Sequence, residues 1–322
     1  MGEPTWEAAE DPDRTLRERL RRGRTLLVSP HPDDVAYSCG GLLAAVGRPA
    51  HATLLTVFTR SAWALPRRLR RAGARVVSER RREEELRYCR LRGLAEYRPL
   101  GFADAGLRGY DDESELSSPA EADGVRGAVE EAVAEAIRDA GADTVLAPAA
   151  VGGHVDHLLV HGAVRGAVGR GGPLTLFYED LPYAGQRDAV DVERTLREAR
   201  GLVPFASVDI SGVVQQKVRG MYVYGSQTDD ECVRETLRHA RRGAARRWTG
   251  GTAGAGHAAG RPRAAAPPPG GEPGRGGGPR PRPPPCPGGW GRAGSRSPPS
   301  RRARRRCGRA RRPGAASTGR CG

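Results

Sequence analysis

Short apolar runs alternate with amphipathic stretches along this chain, and that alternation limits its fold more than any other feature. "TLLVS" at 25–29, "ATLLTVFT" at 52–59, "YRPLGF" at 97–102, "TVLAP" at 144–148 and "LTLFYE" at 174–179 have the length and residue types of strands. Helical patterns lie between them. Residues 40–46 read as a small-residue helix, and 76–94 as a long one with Ser78 as N-cap and Gly93 as stop. Residues 121–140 place Val125, Val129, Val133 and Ile137 four apart on one stripe. Residues 156–168 are helical, and after Pro204 the run "SVDI" precedes one more helix from about 212 to 223. Strand and helix in turn predict an α/β chain: a Rossmann-like open, mostly parallel sheet with helices on both faces. Such sheets bind ligands outside the carboxyl ends of their strands.

Charge divides the chain. The net charge is +15, but residues 241–322 hold 20 arginines and one acid, Glu272, while the first 240 residues carry 33 basic and 37 acidic side chains. From about 249 the composition is Gly, Pro, Ala, Arg and Ser, with 14 of the 26 prolines and no apolar period. Such a segment buries too little surface to offset its ordering entropy. Three segments are therefore expected: a polar N-terminal extension at 1–23, an α/β domain at 24–245, and a disordered tail at 246–322. The tail reads as a solvated segment or as the end of a lost reading frame in a GC-rich gene, which the single lysine, Lys217, against 52 arginines fits. A nucleic-acid or membrane-surface arm is the third reading. It calls for aromatic residues among the basic ones, and beyond 248 there is only Trp290. No specific nucleic acid and no membrane is expected as a partner. Six scattered cysteines without a CxxC argue against a disulfide framework. The polar start and the lack of an 18-residue apolar run point to the cytoplasm.

Two loops then carry the chemistry. "SPHPDDVAYSCGG" (29–41) follows the first strand, and "PAAVGGHVDH" (148–157) follows the fourth. Four of the seven histidines, His31, His154, His157 and His161, fall in these loops or in the helix after the second. Charges behind a buried strand are costly unless they are paired or coordinate something. The first loop alone would pass as a capped turn. Two loops with His and Asp at one sheet edge match a His₂-carboxylate metal site, and three ligands from His31, Asp34 and His157 leave zinc a position for water. Other divalent metals fit the same donors. Neighbouring residues on a turn point different ways, so Asp33 stays free to take a proton. His161, Cys39 and Cys89 read as packed residues. Arg60, Arg82, Asp104 and Tyr224 are candidate substrate contacts.

"PHPDD" at 30–34 with Gly40-Gly41 after it, and "HVDH" at 154–157, resemble the two motifs of the PIG-L/LmbE-like zinc N-deacetylases. "RREEELRYCRLRG", "FYEDLPYA" and "KVRGMYVYGSQ" are softer matches, and the resemblance spans about 24–230. It implies that His31, Asp34 and His157 bind one Zn²⁺, that Asp33 is the general base, and that His154 is the acid or oxyanion partner. Asp156 would orient a histidine. The implied reaction removes an N-acetyl group from an N-acetylglucosamine-like amino sugar in a small-molecule glycoside. Amidase cleavage of a thiol conjugate is the alternative, and a non-catalytic scaffold with a nucleic-acid-binding tail is a third. Two departures stand out. Val35 replaces an acid common after Asp-Asp, and Gly152 stands where some members place an oxyanion-binding tyrosine. Tyr183 or Tyr224 could substitute.

Overall fold

The computed structural model describes residues 11–49, 51–110, 116, 119–169, 171–248 and 256–259. All belong to one unit, Met1–Gly288. The strands are β1 (Arg24–Ser29), β2 (His51–Arg60), β3 (Glu96–Ala103), β4 (Thr144–Pro148), β5 (Leu174–Tyr178), β6 (Leu202–Ala206) and β7 (Gly256–Ala259). The helices are α1 (Pro12–Arg22), α2 (Asp34–Ser38), α3 (Gly40–Val46), α4 (Arg67–Arg71), α5 (Ala74–Arg92) and α6 (Arg126–Ala140). They continue with α7 (Val155–Ala167), α8 (Tyr183–Gln186), α9 (Ala189–Arg194), α10 (Val214–Met221) and α11 (Asp230–Trp248).

The strand order is β3-β2-β1-β4-β5-β7-β6. The first five strands are mutually parallel, and β7 is antiparallel to both β5 and β6. Alternate residues enter two separate cores, as a pleated sheet covered on both sides requires. Leu26, Val28, Val145, Ala147 and Phe177 face one core, where α6 contributes Val129, Val133 and Ile137. Leu27, Leu54, Leu146 and Leu176 face the other, with Leu43 of α3 and Tyr88 of α5.

The expected fold class is what the structure has, but four local expectations change. The N-terminal extension contains α1, capped by Asp11, and Leu16 and Leu20 are buried in the second core. This pair, four apart, is an apolar stripe masked in composition by the arginines around it. Ser78 is not the cap of α5; the helix starts at Ala74, and the Ser78 hydroxyl lies inside it, donating to the Ala74 carbonyl at 2.7 Å. Gly93 does end α5, in the left-handed conformation at φ 68°. At the far end α11 runs to Trp248, and β7 arises at Gly256–Ala259 inside the segment expected to be disordered. Its backbone pairs with β5 on one side and β6 on the other. The remainder of the expected tail lies outside the described residues.

Candidate metal centre

β1 and β4 are neighbours, and the chain leaves β1 toward β2 on one side and β4 toward β5 on the other. The crevice at such a reversal of strand order is where open α/β sheets take ligands. Both motif loops emerge there. In the first, the Ser29 hydroxyl donates to the His31 carbonyl at 2.6 Å, and the His31 N–H donates to Asp34 Oδ2 at 2.8 Å. Arg81 donates to the Pro32 carbonyl at 3.2 Å. In the second, Arg200 donates to the carbonyls of Ala149 and Ala150 at 3.2 and 3.0 Å. Among the described residues, the non-glycine positions with positive φ are Asp33 (107°) and Ala150 (58°), one in each loop. Backbone of this kind costs about 1–3 kcal/mol and concentrates where surrounding contacts hold it for a purpose.

The geometry converges on one carboxylate oxygen. His31 Nε2 donates to Asp156 Oδ2 at 2.7 Å, and His157 Nδ1 donates to Asp180 Oδ1 at 2.6 Å. Each ring then presents its other nitrogen inward: His31 Nδ1 and His157 Nε2 stand 3.4 and 3.5 Å from Asp34 Oδ2. The three residues offer ligand atoms all within 4.8 Å of one another. His157 Nε2 is buried and has no hydrogen-bond partner. A buried polar atom left unpaired costs about 1–3 kcal/mol; His161 Nε2 is unpaired too, and what sets His157 apart is that its nitrogen faces Asp34 Oδ2 beside His31. Two imidazoles, each backed by a carboxylate, and a third carboxylate are a donor set suited to a divalent metal. His31, His154 and Asp156 also lie close enough to hold an ion. Asp156, however, is fully buried and already occupied: Oδ2 accepts from His31 and from the Ala105 N–H at 3.0 Å, and Oδ1 accepts from Arg108 at 2.7 Å.

The charges sort themselves by surroundings. Burial opposes the charged form of Asp34, but His157 and His31 outweigh it and hold the carboxyl down at about 2. Burial likewise opposes a charged His31, and Asp156 and Asp34 together push it up to about 10 in the metal-free protein. Asp33 differs from its neighbour. Burial raises it to about 7 although Arg81, 3.9 Å away, works in the other direction. His154 is pushed down to about 3 by burial and is a neutral ring. Its Nδ1 accepts the Asp156 N–H at 3.1 Å, which leaves the ring proton on Nε2. The His154 and His157 ring centroids lie 5.4 Å apart.

His31, Asp33, Asp34, His154, Asp156 and His157 are thus brought together. The expected substrate contacts are not. Arg82 faces solvent, because the buried stripe of α5 runs through Val77, Arg81, Glu85 and Tyr88; Arg81 is the inward arginine. Arg60 is exposed at the end of β2. The Asp104 carboxylate caps the turn Ala105–Leu107 by accepting the Leu107 N–H at 3.2 Å. Tyr224 is buried in the second core with its ring 5.5 Å from that of Tyr88. Tyr183 instead borders the site: its ring is edge-on to His157 at 5.5 Å. It also fills the space over Gly152, where a Cβ would meet Tyr183 Cγ at 2.6 Å. His161 donates Nδ1–H to the Pro148 carbonyl and packs on Phe177, as a helix residue should. Cys39 and Cys89 are buried thiols that burial raises to about 12. Sequence reasoning missed Asp180 and Arg108. Asp180 had a signal, since it follows β5 at the same sheet edge. Arg108, one of 52 arginines, had none.

Comparison with known proteins agrees with this picture. A family model described as PIG-L, GlcNAc-PI de-N-acetylase, matches residues 26–168. A 2'-N-acetylparomamine deacetylase of Streptomyces fradiae is 99% identical over 261 residues, 81% of this chain and 94% of that protein. The crystal structure of an A40926 pseudoaglycone deacetylase superposes with a TM-score of 0.53 at 24% identity, covering 73% of this chain and 95% of that one. A zinc-inhibited form of a teicoplanin deacetylase does so with a TM-score of 0.52 at 22% identity, over 73% and 96% of the two chains. Those two likenesses speak for the fold. The motifs, the matched family model and the near-identical relative together mean that the chain belongs to the PIG-L family, the LmbE-like N-deacetylases.

Proposed function

We propose that this chain hydrolyses the N-acetyl group of an amino sugar in an aminoglycoside, with 2'-N-acetylparomamine as the first substrate to try. His31, Asp34 and His157 hold a divalent metal, which we take to be zinc. The observation that carries the reading is the convergence of His31 Nδ1 and His157 Nε2 on Asp34 Oδ2.

When bound, the metal supplies Lewis-acid polarisation of the amide carbonyl and acidifies water. The protein does the rest. Asp33 takes the proton of the attacking water and later gives it back; burial pushes this carboxyl up while Arg81 works against it. Asp34 Oδ2 faces His31 and His157 while Asp33 Oδ2 lies 3.9 Å from Arg81, which leaves the two carboxylates to separate tasks. His154, neutral with its proton on Nε2, is a hydrogen-bond donor for the oxyanion that develops on the acyl carbon. Asp156 and Asp180 fix the two histidine rings. The carbon–nitrogen bond breaks, the water oxygen joins the acyl carbon, and Asp33 returns its proton to the leaving amine. The products are acetate and the free amino sugar. Of the two tyrosines considered for the position at Gly152, Tyr183 is the one beside His157.

The test pairs metal content with amine release from 2'-N-acetylparomamine, for the wild type and His157→Ala. One bound metal and activity, both lost in the variant, is the expected result. A folded wild type without bound metal would sink the reading. Bound metal with activity only on a different N-acetylated glycoside would replace the substrate and leave the site standing.

A further inference from the structure

The Asp156 carboxylate connects the metal centre to the far side of the sheet. One face of it holds the metal ligand His31. The other is held by the loop after β3, an edge strand three positions from β4. Arg108 in that loop is the anchor. Its Nη2 donates to Asp156 Oδ1 at 2.7 Å and to Asp123 Oδ2 at 2.7 Å, while Nη1 donates to the Ala103 carbonyl at 2.8 Å. The guanidinium also lies over the Phe58 ring at 4.9 Å, and Phe58 in turn faces the His31 ring at 5.9 Å. Arg108 therefore reaches His31 by two routes, one polar and one through an aromatic ring. Its side chain is only 9% exposed, and that of Asp156 is 0%.

A carboxylate fixed at one oxygen can still rotate about its own axis. Fixed at both, it cannot. Asp156 Oδ2 accepts from His31 and the Ala105 N–H, and Oδ1 accepts from Arg108, so its plane is set from both sides. That plane sets the direction of the His31 Nε2–H bond, and hence where Nδ1 points. Asp123 completes the arrangement by accepting from Arg108, from the Tyr110 hydroxyl at 2.7 Å and from the Val125 N–H at 3.0 Å.

We propose that Arg108 is a positioning residue of the metal centre, holding His31 on target through Asp156, so that the loop after β3 sets metal affinity. This rests on the metal-site reading above. The guanidinium fork matters as well as the charge, because it spans Asp156, Asp123 and a carbonyl together.

The experiment measures zinc affinity of the stripped protein by competition with a chelating dye. The variants are wild type, Arg108→Met, Arg108→Lys, His31→Ala and His31→Ala/Arg108→Met. Visible spectra of the cobalt-loaded proteins and melting curves of the apo forms accompany it. Arg108→Met keeps an aliphatic stem but removes the guanidinium, its hydrogen bonds and its seat over Phe58; it is expected to weaken zinc about 10- to 100-fold and to alter the cobalt spectrum. Arg108→Lys restores one donor and the charge, so its affinity should fall between the two, which also covers an Arg108→Met that fails to fold. In the His31→Ala background, Arg108→Met should change affinity little, since the ligand it acts through is gone. Wild-type affinity in both Arg108 variants, or an equal loss with and without His31, overturns the proposal and leaves the metal site intact. A wild type that binds no zinc overturns the metal-site reading and this proposal with it.

Discussion

Gly152→Ala is a small change with a calculable consequence. A Cβ built at Gly152 would lie 2.6 Å from Tyr183 Cγ, 2.8 Å from Cδ1 and 2.9 Å from Cβ. Ordinary carbon–carbon contact is about 3.5–4.0 Å, so the ring must retreat by about 1 Å. It has little freedom to do so. Tyr183 opens α8 three residues after Asp180, whose two oxygens hold His157 Nδ1 and, at 3.0 Å, the Val151 N–H. Val151 is itself the neighbour of Gly152, so the substitution pushes against the strap that orients a metal ligand. Overpacking of this kind costs about 1–3 kcal/mol. Borne by the reacting complex, that is about a 5- to 150-fold loss in kcat/KM. The assay is amine release from 2'-N-acetylparomamine by wild type, Gly152→Ala, Tyr183→Ala and the double variant. Tyr183→Ala removes the two closest colliding atoms and leaves only its Cβ at 2.9 Å, so adding Gly152→Ala to it should cost several-fold less than it does in the wild type, as expected of touching residues. Full activity in Gly152→Ala, or the same loss with and without the Tyr183 ring, would rule out this collision as the cause.

Three further outcomes follow from the same structure. Asp33→Asn keeps the shape of the turn but cannot take a proton, so kcat should fall about 10²- to 10⁴-fold while metal content, measured in parallel, stays at the wild-type level. Asp180→Asn can satisfy the Val151 N–H or His157 Nδ1–H but not both with carboxylate strength; zinc affinity should drop about 10- to 100-fold, and an unchanged dissociation constant would refute the role given to Asp180. Lys217 is buried, donates to the Tyr37 carbonyl, and is pushed down to about 8 by that burial. Between pH 8 and its unfolded value near 10.4 the unfolded chain binds the extra proton, so this group makes stability rise with pH. Urea unfolding should therefore show wild type gaining about 2–3 kcal/mol on Lys217→Met across that window, and a difference that is flat or falls with pH would contradict the burial argument.

The sequence by itself determined the kind of fold and the gathering of His and Asp donors at one sheet edge. The apolar runs became β1 to β5 with shifts of a residue or so; β1 and β4, buried on both faces, are continuous in apolar character, whereas β3 at the sheet edge is not. His31, Asp34 and His157 were legible as a candidate donor set because metal coordination needs particular donor types, and the βα order puts two such loops at one sheet edge. Tertiary structure decided what depends on direction rather than type. Arg81 rather than Arg82 faces Asp33, since one residue of helical phase separates the core side of α5 from solvent. Asp104 and Tyr224, plausible by composition, cap a turn and fill a core. Leu16 and Leu20 turned a polar extension into part of the second core. Arg108 meets Asp156, and Asp180 meets His157, across 48 and 23 positions of the chain. Donor identity is written residue by residue, whereas the partner of each donor is fixed only when distant loops meet across the sheet, at distances where a few tenths of an ångström separate a bond from a gap.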